Sequence, residues 1–392
     1  LDKIYLDHNA TTPVAPEVLH IVTSVLRDQM GNPSSVHSMG RAARVLVDEA
    51  REQVASLIGA SPSEIVFTSG GTEANNLALL GVALGAGKGQ IVTSQVEHPS
   101  VLNPCRQLES LGFVVDRLRV DELGRIDLQV LENCLTPSTL LVSLQHANSE
   151  TGVLQDIEKI GEIARKKGVL FHTDAVQSVG KIPLRVQDVP VDMLSISAHK
   201  LNGAKGVGAL YLKKGSSDLF SPLSGGSQEK KRRGGTENVA GIAGFGKACE
   251  LAQKHLASYE YLSSLRDHFY QLVSNQISGV EVFGDLENRL PNTLNLGFDG
   301  VEGDTLLIGL DMAGVAVSTG SACSSGSGSP SPVLTAMGIP YDKINSSIRF
   351  SFGWSNTTAE IEKAAKILAE TVSLNRMGTF ADMSNKKLMK SL

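Results

Sequence analysis

The chain is poor in cysteine and does not space what it has for metal binding. Cys105, Cys134, Cys249 and Cys323 lie far apart, with no CxxC pair. That argues against a zinc site or a disulfide framework and fits free thiols in a cytoplasmic setting. Positive charge is not in excess either: 36 Lys and Arg against 41 Asp and Glu leave a net charge of −5. The one basic cluster, Lys230-Lys231-Arg232-Arg233, is short and sits between glycines, so a nucleic-acid partner is not expected. No apolar run is long enough to span a bilayer. The opening LDKIYLDHNATT lacks a signal-like apolar core, and no membrane association is expected. Internal repeats are also absent. What remains is 392 residues that are 41 % apolar, enough for one large or two medium domains with proper cores.

The patterning alternates. Ile65–Thr68, Gln90–Ser94, Phe113–Leu118, Leu140–Gln145 and Val169–Thr173 read as strands. Helical patterns stand between several of them, including one from Glu73 and one from Ile157 to Lys167 that stops at Gly168. Strand–helix alternation implies βαβ units, hence an α/β fold with a mainly parallel sheet flanked by helices. After a long helical region from about Val239 to Ser274, segments 290–298, 304–318 and 347–352 suggest a smaller α+β domain. A final helix opens with a capping box, Thr357 to Glu360, and turns Ile361, Ala364, Ala365, Leu368 and Val372 to one face.

Ligands in such folds bind at the carboxyl ends of the strands. Thr72, His98, Asn148, Asp174 and Lys200 all fall there. Lys200 follows the apolar stretch VDMLSIS and precedes a Gly-rich turn. A buried amine loses proton affinity and becomes a nucleophile suited to an aldehyde cofactor, although a lone strand-end lysine equally fits a side chain snorkelling to water. Ser69-Gly70-Gly71-Thr72 has the make-up of a phosphate cradle at a helix N-terminus, or simply of a tight strand–helix turn. Five polar residues converging on one sheet edge favour a site over five unrelated explanations. Cys323 stands apart from the other cysteines: it lies in STGSACSSGSGS, too small and flexible a stretch to be core, where a thiol is free to act and to travel.

The segments YLDHNATTP, GNPSSVH, FTSGGTEANN, EHPSVL, HTDAVQSVGK, SISAHK, RRGGTEN, VSTGSACSSG and SSIRFS, spread from Tyr5 almost to Val372, resemble those of cysteine desulfurases. These are class V aminotransferase-family enzymes that use pyridoxal 5'-phosphate and share the type I fold. The resemblance implies a seven-stranded large domain over 16–255 and a small domain made from 1–15 with 256–375. The tail, 376–392, is expected to be disordered.

It also implies roles. Lys200 would carry the cofactor, and Asp174 would pair with its pyridine nitrogen. Gln177 and Asn148 would bond its phenolic oxygen, and His98 would stack on the ring and move protons. Gly71, Thr72, Ser197 and His199 would hold the phosphate, together with Thr236 of a neighbouring subunit, which implies a homodimer. Arg349 would clamp the carboxylate of L-cysteine, which Asn148 also contacts, and Cys323 would receive the sulfur as a persulfide. The SxGSACxS pattern resembles the group that passes sulfur to an iron–sulfur scaffold protein. Ser149, where the family often has a second Asn, Lys230, where Arg is common, and the short end after Val372 depart from the pattern. A selenocysteine lyase, with the same fold and cofactor, is the alternative reading.

Overall fold

The computed structural model describes residues 3–216, 219–319 and 330–378. In chain order the strands are β1 (Ile4–Tyr5), β2 (Ile65–Thr68), β3 (Gln90–Ser94), β4 (Val114–Leu118), β5 (Thr139–Ser143), β6 (Leu170–Asp174), β7 (Met193–Ser197), β8 (Gly208–Leu212), β9 (Val280–Val282), β10 (Thr293–Phe298), β11 (Val315–Ala316) and β12 (Ser347–Ser351). The α-helices are α1 (Pro16–Asp28), α2 (Ser38–Ile58), α3 (Gly71–Ala86), α4 (Pro99–Ser110), α5 (Leu128–Cys134), α6 (Ile157–Lys166), α7 (Val239–His255), α8 (Glu260–Gln276), α9 (Gly303–Met312), α10 (Pro332–Ala336), α11 (Tyr341–Asn345) and α12 (Thr358–Arg376).

Seven strands form one sheet in the order β2-β8-β7-β6-β5-β3-β4. All neighbours are parallel except at β8, which runs against both β2 and β7. Strands β3, β7 and β8 are buried along their whole length, and β5 and β6 at all but one residue each, as a sheet covered on both faces requires. One apolar cluster, with Phe67, Phe171, Leu194 and Phe245, packs on one face; another, with Leu77, Leu108, Leu141 and Leu210, packs on the other. Two glycines are demanded by close approach at the ligand edge. A Cβ on Gly208 would lie 2.7 Å from the Cα of Gly70, and one on Gly71 would lie 2.7 Å from Val176 Cγ2.

The expected fold class is what is found. The differences lie at boundaries. The helix read from Glu73 begins two residues earlier, at Gly71. The helical stretch after Val239 is two helices, because Leu256–Ser258 tightens into a 3₁₀ turn that redirects the chain.

A second core is built from both ends of the described chain. Ile4 and Leu6 pack with Phe269, Leu296, Phe298, Phe350 and Leu368 around the β12-β10-β9 sheet. Strand β1 pairs with β11, and Asp7 bridges to Ser351. The α12 capping box forms as expected, Thr357 accepting from the Glu360 amide. Phe269 is fully buried, with ring centroids 4.8 Å from Phe350 and 5.6 Å from Phe352. Phe269→Ala should therefore cost about 3–5 kcal/mol of stability, measured by urea unfolding; a loss within experimental error would show that this core is not cooperative with the rest.

Candidate active site

A cavity of about 480 Å³ opens at the carboxyl ends of β6 and β7. Its wall carries Gly71, Thr72, His98, Asp174, Gln177, Ser197, His199, Lys200 and Arg349 together. Asn148 and Thr236 are not on that wall. Asn148 is buried beside it: its Nδ2 donates to the Val96 carbonyl (3.1 Å), and its Oδ1 accepts from the amides of Glu150 (2.8 Å) and Thr151 (3.0 Å). Its carboxamide is therefore occupied in shaping the turn that carries Ala147 and Ser149 to the cavity. Thr236 is exposed, in the loop before α7. Cys323 lies outside the described residues.

Lys200 is in a single 3₁₀ turn after β7, and its Nζ donates to the main-chain carbonyls of Asn9 and Ala10 (2.8 Å to the latter). On one side Asp174 ends β6. Its Oδ2 accepts from Asn75 Nδ2 (2.7 Å) and its Oδ1 from the Val176 amide (3.0 Å). Asn75 also donates to Ser100 Oγ (2.8 Å), which lies 2.7 Å from His98 Nδ1. His98 caps α4 by accepting the Ser100 amide. Asp174, Asn75, Ser100 and His98 thus form one chain of hydrogen bonds, and the His98 ring is fixed before any ligand arrives. Burial holds His98 below the usual imidazole value; Asp174 pulls it up and Lys200 pushes it down.

The first turn of α3, at Gly71 and Thr72, supplies amide N–H groups without intrahelical partners. Ser197 and His199 stand opposite. Burial, then Lys200, Lys205 and Lys181, lower His199 to about 4, so at neutral pH its ring is an uncharged donor. A loop from the far side reinforces the cradle: Arg233 Nε pairs with Glu73 at 2.9 Å, and Glu229 takes Arg51 at 2.6 Å and the Phe67 amide at 3.0 Å.

Arg349, in the middle of β12, is 2 % exposed. Its Nη2 pairs with Asp7 at 2.7 Å, its Nη1 donates to the Ser149 carbonyl at 3.2 Å, and its Nε has no partner. A buried guanidinium with a spare donor beside a cavity suits a carboxylate. The Arg349 main chain bridges Ser318, whose carbonyl accepts the Arg349 amide at 2.7 Å. Ser331 donates to Glu150 at 2.5 Å. Burial pushes that carboxyl up to about 7. The described residues on either side of the Cys323 segment are thus tied to the substrate end of the cavity.

Several participants had no assigned role in the sequence reading. Asn9, Asp7, Asn75, Ser100 and Glu97 belong to motifs that were noted, but which of their atoms matter depends on contacts from distant segments. Glu97 is fully buried behind His98, accepts from Ser94 Oγ and the Gln145 amide, and is pushed up to about 8, mainly by burial. The remaining cysteines are poor nucleophiles. Cys105 and Cys249 are buried and Cys134 partly so, and burial raises all three thiols, Cys105 to about 12.

The groups present fit pyridoxal 5'-phosphate. Gly71 leaves a cradle that any Cβ would fill, free helix N–H groups face it, and a carboxylate and a lysine flank the same space. The aminotransferase class-V family model matches residues 4–364. The chain is 48 % identical over 373 residues to "Cysteine desulfurase IscS" of Dictyoglomus turgidum, covering 94 % of each chain. It is 47 % identical to "Putative cysteine desulfurase IscS 1" of Bacillus subtilis, covering 95 % of this chain and 99 % of the relative. Among solved structures, a "NIFS-like protein" superposes with a TM-score of 0.89 at 38 % identity, covering 95 % and 100 % of the two chains. "SspA in complex with cysteine" gives 0.80 at 37 %, covering 89 % and 98 %.

The electrostatics of His98 are testable in the apoprotein. Asp174→Asn keeps a side chain of the same shape but removes the anion that favours imidazolium, so the His98 pKa should fall further. Lys200→Ala removes a cation and should raise it. Histidine NMR titration reads both, and shifts of the opposite sign would disprove the arrangement.

Proposed function

Given that the chain belongs to the class-V aminotransferase family, as one of its pyridoxal 5'-phosphate-dependent cysteine desulfurases, we propose that it moves sulfur from L-cysteine onto Cys323 and releases L-alanine. The observation that carries this reading is the convergence of Lys200, Asp174, His98 and Arg349 on one cavity. When bound, the cofactor supplies an aldehyde that condenses with amines and a ring that accepts the electrons of a breaking Cα–H bond.

The chain's own groups do the rest. Gly71, Thr72, Ser197 and His199 hold the phosphate, and Asp174 takes the pyridine nitrogen. Gln177 takes the phenolic oxygen, with Asn148 behind it holding the turn that carries Ser149. Lys200 would hold the cofactor's aldehyde carbon, and its amine is the base placed to take the substrate's Cα proton and to return one to the product. His98, its proton affinity lowered by burial and its ring held by Ser100, would stack on the cofactor ring and relay protons. Arg349 fixes the substrate carboxylate.

The Cys323 thiolate attacks the substrate sulfur. A Cys323 S–S bond forms as the substrate C–S bond breaks, and the carbon side takes up a proton to become alanine. The persulfide then passes to an acceptor, for which an iron–sulfur scaffold protein is our reading. We further read Thr236, exposed and three residues from Arg233 at the cradle, as the group that completes the phosphate site of a second copy. Among the described residues no helix is long and apolar enough to cross a membrane.

Cys323→Ser should keep the visible cofactor band and its change on adding cysteine, while alanine production falls at least about a hundredfold, since a hydroxyl is a poor nucleophile toward sulfur. Near-normal alanine from cysteine would assign the chemistry elsewhere. Alanine retained from selenocysteine alone would favour the lyase reading. Separately, neither Lys200→Ala nor Thr236→Ala homodimers should be fully active, but mixing them should restore roughly one working site per heterodimer. No rescue in a verified heterodimer would place Thr236 in its own subunit's site or outside any.

A further inference from the structure

Lys200 forms part of the wall of two cavities. Behind it, on the side away from Asp174, lies a second space of about 290 Å³ between the two cores. Its sides are mostly apolar, with Leu251, Leu262 and Phe352, and one side is a stacked pair, Trp354 on His255, with ring centroids 4.7 Å apart. Its inner end is different. Lys181 is there, wholly buried, with no carboxylate in salt-bridge range among the described residues. Two carboxamide oxygens, Asn9 Oδ1 (3.2 Å) and Gln177 Oε1 (2.9 Å), take two of the three protons that an ammonium carries. His8 lines the same end at 1 % exposure; its ring nitrogens make no hydrogen bond of good geometry, the Tyr5 backbone and the Asn356 side chain being its polar neighbours, and burial with Lys181 nearby lowers it to about 4, so it is an uncharged ring there. The only carboxylate on the described wall, Glu17, is exposed at the rim.

A buried ring with only poorly aligned polar neighbours, and a buried amine with two of its three donor positions filled and no anion in range among the described residues, each retain part of their desolvation cost. Here they face the same space. We propose that this second cavity binds a small monocarboxylate with an apolar or aromatic body. Its carboxylate accepts from Lys181 and His8, and its body lies along Leu262 and against Trp354. A phosphate or other compact anion would waste the apolar walls, and a neutral ligand would leave Lys181 uncompensated. Burial, with Lys200 and Arg349 nearby, loosens the Lys181 proton, and an incoming carboxylate would secure it. The occupant would sit behind the lysine of the sulfur-transfer site, apart from the substrate, and the proposal does not depend on where the sulfur goes.

Trp354 is the chain's only tryptophan, so the cavity reports on itself. The holoenzyme, titrated with 3-phenylpropionate, should show a saturable change in tryptophan fluorescence. The neutral 3-phenylpropionamide should bind about tenfold more weakly or worse. Lys181→Met should abolish the preference for the acid over the amide. Because a change at a buried lysine can unfold the chain, Leu251→Phe, which narrows the cavity without touching its polar end, should weaken the acid in calorimetric titration. A non-saturating response, equal binding of acid and amide to the native protein, or undiminished binding to Leu251→Phe would each overturn the proposal.

Discussion

Asn9 joins the two cores at the point where chemistry is expected. Its carbonyl accepts from Lys200 and Gln177, and its Oδ1 accepts from Lys181 and Asn292. Its Nδ2 donates to the Ser149 carbonyl and Thr293, and its amide donates to Ser351. Every donor and acceptor of the residue is used, at 1 % exposure. Partners on one side belong to the seven-stranded sheet and its loops; partners on the other belong to β10, β12 and the residue before β10. The relative position of Lys200 and Arg349, and so the length of substrate that fits between them, rests on this one carboxamide and its peptide groups. A buried network rigidifies where its members are satisfied, as every polar group of Asn9 is.

The charge balance of the site runs against that of the chain. The whole protein is net negative, yet Lys200, Lys181 and Arg349 lie close together, with Asp174 and Asp7 beside them. The two other acids close by, Glu97 and Glu150, are raised by burial toward their neutral forms. The result is a positive interior pocket in an acidic protein. Its basic groups are held in place by geometry, at a strand end, in the turn after β6 and within β12, and burial with Lys200 and Arg349 nearby lowers the Lys181 amine well below its ordinary value. Such a pocket is complete only with anions in it, which is the physical content of its fit to a phosphate-bearing cofactor and a carboxylate substrate.

Much of this was legible in the sequence because strand ends announce themselves. An apolar run that stops at Asp174 or at Ser197-Ala198-His199-Lys200 places its last residues on the ligand edge of a parallel sheet, and the order of elements follows from alternation. The glycines at 70 and 71 were readable for the same reason. What stayed hidden depended on partners far away in the chain. Nothing near Asn9 reveals that Lys200, Asn292 and Ser351 meet it. Asn148 carries a family position but spends its carboxamide on Val96 and the following turn, a competition that only coordinates expose. Lys181 sits in an ordinary-looking VGKIP segment, and one of the groups that meets its amine in the interior is Asn9, from the distant N-terminal segment. The break between α7 and α8 has no proline or glycine to mark it.

The reversed strand β8 also bears on how the protein is made. Strand β2, which leads straight into the Gly70-Gly71 cradle, pairs among the described residues only with β8, Ile65 opposite Tyr211 and Thr68 opposite Gly208. A chain emerging from the ribosome therefore has no place to fix the cradle until residue 212 is out. Asn9 waits longer still, for Ser351 in β12. Sheet closure across so many intervening residues is slow and leaves edges open meanwhile. The cradle and the reactive lysine can thus meet once β8 has paired, whereas the Asn9 junction that fixes them against Arg349 forms only when the small-domain sheet has closed.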